Sequence, residues 1–93
     1  MVIGILVVHL RLPDSDSLKA KRRVVLSLKS RLKNKFNISI SETGFLDSLK
    51  ESEIGVCCVG NDAGHIDRQL AYIVNNIENN RSVEIINFST ERI

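Results

Sequence analysis

Tryptophan is absent from this sequence, proline occurs once, and only four side chains are aromatic: Phe36, Phe45, Tyr72 and Phe88. With one proline and five glycines there is no Pro/Gly-rich linker, and no repeat or low-complexity tract interrupts the chain. A glycine-rich phosphate loop after the first strand is excluded, because "RLPDSDSLK" has no glycine. The two cysteines, Cys57 and Cys58, are neighbours. Adjacent strand positions point to opposite faces, which argues against a disulfide between them. No second pair completes a metal site, so two buried free thiols are expected. The apolar opening "MVIGILVVHLRL" is too short to span a membrane and lacks the basic start of a signal peptide. Neither a membrane nor a cofactor is therefore expected, and the cytoplasm is the default location.

What is present is enough for one domain over residues 1–93. A chain of this length can bury a core without disulfides or metal. Net charge is only +2, yet its distribution is uneven. Residues 17–36 hold eight of the thirteen cations and no acid, while the remainder carries five cations against eleven acids. A modest global charge conceals one strongly basic element.

Val2 to Leu12 alternates and is rich in β-branched residues, which predicts a buried strand. Pro13 ends it. From Leu18 to Phe36 the apolar period becomes helical, through Leu18, Val25, Leu28, Leu32 and Phe36, with Ser15 or Ser17 as cap. "NISISE" predicts a second strand and "EIGVCCVG" a third. Between them, residues 43–52 are ambiguous, with Gly44 suggesting a loop and room for one helical turn. Asn61 or Asp62 caps a second helix faced by Ile66, Leu70, Ile73 and Ile77. "NNIENN" ends that helix, with asparagine suited to a left-handed C-cap, and "SVEIINFST" is the last strand. The order βαββαβ predicts an α+β, ferredoxin-like fold. Its four-stranded antiparallel sheet would carry both helices on one face, with the first and third strands central.

Function must be argued from sites, since this topology serves many activities. On the first helix, Lys19, Arg22, Arg23, Lys29 and Lys33 fall on one flank around Leu26, the stripe a phosphate backbone would meet; a solvated face is the bland alternative. Lys21 instead lies in the apolar stripe. It can join Ser15, Ser17, Arg22 and the helix N-terminus around one phosphate. Equally, it can pair with Asp14, Asp16 or a carboxylate of the 42–53 segment. Ile3, Ile5, Val7, Cys57, Val59 and Ile85 are expected on the open side of the sheet. That patch suits a homodimer better than a base-stacking platform, because no aromatic lies on the two central strands. His9 on the open face and His65 at the second helix start have no nucleophile or facing carboxylate nearby in sequence, so no catalytic residue is assigned. Loops with paired cysteines, as in metallochaperones of this topology, are absent.

Two stretches carry a resemblance. "LPDSDSLKAKRRVVLSLKSRLKNKFNISISE" and "GVCCVGNDAGHIDRQL" are similar to the two signatures of the YlxP-like family, a bacterial family of unknown function. Ser15, Ser17, Leu18, Lys19, Lys21 and Arg22 match the first; Asn61, Asp62, His65, Asp67 and Arg68 match the second. The resemblance implies a ferredoxin-like fold and a small cytoplasmic protein without established activity. Genes of that family commonly lie near those for transcription elongation, translation initiation and ribosome maturation, which implies RNA or a ribosomal subunit as partner. In "GFLDSLKE" this chain departs from the family, with Phe45 and Leu49 where many members carry a histidine and an aromatic.

Overall fold

The computed structural model describes residues 1–93. Its elements are β1 (Val2–Arg11), α1 (Leu18–Lys35), β2 (Ser39–Gly44), β3 (Glu51–Gly60), α2 (Ala63–Glu78) and β4 (Glu84–Arg92). The four strands form one antiparallel sheet in the order β2-β3-β1-β4. This is the ferredoxin-like α+β arrangement, with the first and third strands central.

Alternation along β1 and β3 separates the two faces of the sheet. Leu6, Val8 and Leu10 of β1, with Ile54, Val56 and Cys58 of β3, meet α1 and α2 to make the core. Val25, Leu28 and Leu32 enter it from α1, and Ile66, Leu70, Ile73 and Ile77 from α2, at the helical spacings. Gly4 sits where α2 comes closest to the sheet. A Cβ there would lie 2.6 Å from Ile66 Cγ2 and 3.0 Å from Cys58 Sγ, so only glycine permits this approach.

Four local expectations change. Residues 43–52 contain no helix: β2 runs through Gly44, a turn follows, and β3 starts at Glu51. The end of α2 is not left-handed, since its C-cap Asn79 has φ −81° and ψ −3°. Ile85 is not on the open face. A register shift in β4 pairs Leu10 with Ile85 but His9 with Asn87, so Ile86 is the extra residue and Ile85 turns back onto the core. Finally, only Cys58 is a buried thiol; Cys57 is exposed, because nothing covers its side of the sheet.

Candidate functional site

The start of α1 is built from its capping residues upward. Ser17 is the N-cap, in extended conformation, and its Oγ accepts from Ala20 N at 3.0 Å. Ser15 is buried and its hydroxyl donates to the Ser17 carbonyl at 3.4 Å. Lys21 is 1% exposed, on the core side of the helix. Its Nζ lies 3.1 Å from Glu42 Oε2 and also donates to the carbonyl of Phe45. Glu42 projects from the helix-facing side of β2, and its Oε2 also accepts from the fully buried Ser52 hydroxyl at 2.6 Å. The lysine's partner is thus a carboxylate of its own chain, and every buried polar side-chain atom is satisfied. Ser15, Ser17 and Lys21 are thus each engaged within the chain, while Arg22 is exposed on the outer side of the helix.

The β2–β3 turn completes this end of the sheet. Phe45 has φ +58°, a left-handed conformation that costs an L-residue about 1–2 kcal/mol. Its carbonyl takes two donors there, Lys21 Nζ and Ser48 N. Its ring stacks on His9, with centroids 4.6 Å apart and planes within 2°. His9 Nε2 lies 2.9 Å from Glu51 Oε1. Lys50 Nζ donates to the carbonyls of Pro13 and Ser15 at 3.0 and 2.9 Å, tying the turn to the β1–α1 connection. His9 and Glu51 are 42 residues apart in sequence, and only the β1–β3 register brings them together. They form a stacked, hydrogen-bonded corner with no serine or cysteine nucleophile in hydrogen-bond reach. His65 is exposed on the first turn of α2, where its backbone N donates to the cap Asp62. No three His, Cys, Asp or Glu side chains converge as a metal site.

The remaining cations of α1 point outward. Lys19, Arg22, Arg23 and Lys33 are exposed and Lys29 is half-buried. The chain's lysine and arginine ion pairs are Lys21–Glu42 and Arg92–Asp67, and His9 meets Glu51, so no carboxylate neutralises any of these five. Leu26, 62% exposed, lies among them. An 18-residue helix is about 27 Å long. It carries this stripe with no acid in its first turn and with Lys33 and Lys35 in its last. Cations at the last turn suit the macrodipole; those near the first do not.

On the opposite side of the sheet, Ile3, Ile5 and Val7 are half-buried by their neighbours, while Cys57 and Val59 are exposed, Val59 to 64%. Glycine at position 55 leaves a shallow depression there, bordered by Ile5, Val7, Thr43 and Cys57.

Architecture and surface together define the class: a small ferredoxin-like α+β protein whose first helix carries an outer stripe of unpaired cations. The family follows from comparison. Residues 3–90 match the family model described as "Protein of unknown function (DUF503)", and the chain belongs to that family. It is 32% identical over 71 residues to "Uncharacterized protein YlxP" of Bacillus subtilis (strain 168), covering 76% of this chain and 77% of the relative. Among solved structures it is similar to the de novo designed protein Foldit4. The TM-score is 0.55 at 11% identity, over 100% of this chain and 97% of the other, a likeness of fold alone. No helix is long and apolar enough to cross a membrane.

Proposed function

We propose that this protein is an RNA-binding accessory factor, with the outer face of α1 as the surface that meets the phosphate backbone. One observation carries the reading: Lys19, Arg22, Arg23, Lys29 and Lys33 are arrayed along one helix, and none has a carboxylate partner. The fold buries Lys21 and uses the exposed Lys50 to tie two turns together, whereas no bond of the fold accounts for the stripe. About four to six phosphate contacts on single-stranded RNA give a log–log salt slope of roughly −3 to −4. Charge reversal at Arg22, Lys29 and Lys33 flattens that slope. Affinity for RNA and ribosomal subunits that is absent, or indifferent to salt, sinks the reading.

A second reading is a homodimer through the open sheet face, favoured by the uncovered apolar strip of Ile3, Ile5, Val7, Cys57 and Val59. Sedimentation at high micromolar concentration tests it. A dimer dissolved by Ile5→Asp supports this role, and a monomer ends it.

A further inference from the structure

Where α1 and the end of α2 converge, the surface is hollowed. A depression of about 420 Å³ has Arg31, Lys35, Asn76 and Asn79 on its rim and Leu28 and Leu32 in its floor. A second, of about 310 Å³, runs on past Arg23, Ser27 and Ser82. Arg31 and Asn80 line both, so the two form one trough, and no carboxylate lines either part.

Two asparagines of this trough, Asn34 and Asn79, are not explained by the fold, whereas Asn76 and Asn80 bond within the chain. Asparagine is a poor helix former, and its usual reward at a helix end is the left-handed conformation. Here Asn79 is right-handed, so the backbone makes no demand for it. Asn76 accepts from Lys35 Nζ at 3.1 Å, and Asn80 Oδ1 accepts from Ser82 N at 2.9 Å. The side-chain amides of Asn34 and Asn79 have no partner within the chain, and neither Arg23 nor Arg31 is in an ion pair. An amide offers a donor and an acceptor side by side, the pattern that reads the edge of a base. A guanidinium adds a flat cation that stacks on a base or grips a phosphate. Arg23 belongs to the outer stripe and also to the trough wall, so it joins the two surfaces.

We propose that the trough between α1 and α2 receives an unpaired base of single-stranded RNA. Asn34 and Asn79 meet its edge, Arg31 meets its face, and Arg23 holds the adjoining phosphate. This rests on the RNA-binding reading of the outer stripe and adds base selectivity to it.

The test is fluorescence anisotropy with twelve-nucleotide oligo(A), oligo(C) and oligo(U) RNA across a salt series. The protein is compared with Asn34→Ala/Asn79→Ala and with Arg22→Glu/Lys29→Glu/Lys33→Glu. Both asparagines are exposed, and circular dichroism confirms the fold of each variant. One edge contact in a half-open site gives a preference of about fivefold or more for one base. The asparagine double variant brings that preference within about twofold and leaves the salt slope unchanged. The stripe variant weakens all three oligomers alike. Salt-dependent binding without base preference overturns the trough and leaves the stripe standing. So does a preference that survives the asparagine variant. Failure of every oligomer to bind overturns both. Amide resonances are a second readout: shifts over residues 76–82 support the trough, and shifts confined to residues 19–33 refute it.

Discussion

Replacing Lys21 with methionine tests the internal half of the basic segment. Its ammonium lies 3.1 Å from Glu42 Oε2 and is 1% exposed, against 17% for the Glu42 side chain. At an effective dielectric of about 20, a pair at that distance attracts by roughly 5 kcal/mol. Desolvation of two charges offsets most of this, so the intact pair is worth little against an apolar pair of equal volume. Breaking it is different. Lys21→Met strands a carboxylate whose remaining partner is the Ser52 hydroxyl, and removes a donor from the Phe45 carbonyl. Losing one member of a buried pair costs about 3–5 kcal/mol, and partial exposure of Glu42 puts the expectation near about 3 kcal/mol. For a domain of this size that lowers Tm by about 12–24 °C. Glu42→Leu is expected to cost a similar amount by stranding the lysine. The double variant then costs well under the sum of the singles, with a coupling of about 2 kcal/mol. Urea unfolding followed by circular dichroism measures all four corners of the cycle. Additive costs, or a Lys21→Met penalty below about 1 kcal/mol, would refute the assignment of this lysine to the fold.

Other consequences are simpler to check. Gly4→Ala drives a methyl against Ile66 and Cys58 and is expected to cost about 1–3 kcal/mol in the same unfolding assay, with tryptic sensitivity rising in α2 as the helix is pushed off the sheet. Ser17→Ala removes the α1 cap and is expected to cost about 1 kcal/mol; an unchanged midpoint would mean that the Ala20 amide is satisfied another way. Thiol titration is expected to find one reactive cysteine in the native protein and two in denaturant. Cys57 is exposed, whereas burial pushes the Cys58 thiol up, the neighbouring Cys57 adds to the rise, and a backbone hydrogen bond at Gly4 only partly opposes it.

The fold was legible because its patterns are local. Period two over Val2–Arg11, period 3.6 over Leu18–Lys35 and again over Ala63–Glu78, and serine and aspartate at the two helix starts are all visible without tertiary knowledge. Features set by register were not. Strict alternation puts Ile85 on the open face, but a bulge reverses the phase of β4, and nothing in "SVEIINFST" marks the extra residue. Lys21 stood out as a cation on an apolar stripe, but its partner depended on how α1 lies over β2. Of the carboxylates the sequence offered, only that packing selects Glu42, at the end of the expected strand. The His9–Phe45–Glu51 corner needed both the β1–β3 register and a left-handed phenylalanine, which no sequence rule anticipates. The trough was hidden for another reason: its asparagines already had an explanation as a helix stop, and only the φ of Asn79 removes it.

The bulge at Ile86 also bears on solubility. β4 is the longer of the two edge strands, with Ile86 and Phe88 both about half exposed, so it presents the surface on which another sheet could nucleate. An extra residue breaks the even spacing of outward N–H and C=O groups, and Glu84, Glu91 and Arg92 place charge along the same strand. At the other edge, β2 has only six residues, too few to template a long ribbon. Each border of the sheet thus carries a feature that opposes edge-to-edge pairing, a bulge with charges on β4 and short length on β2.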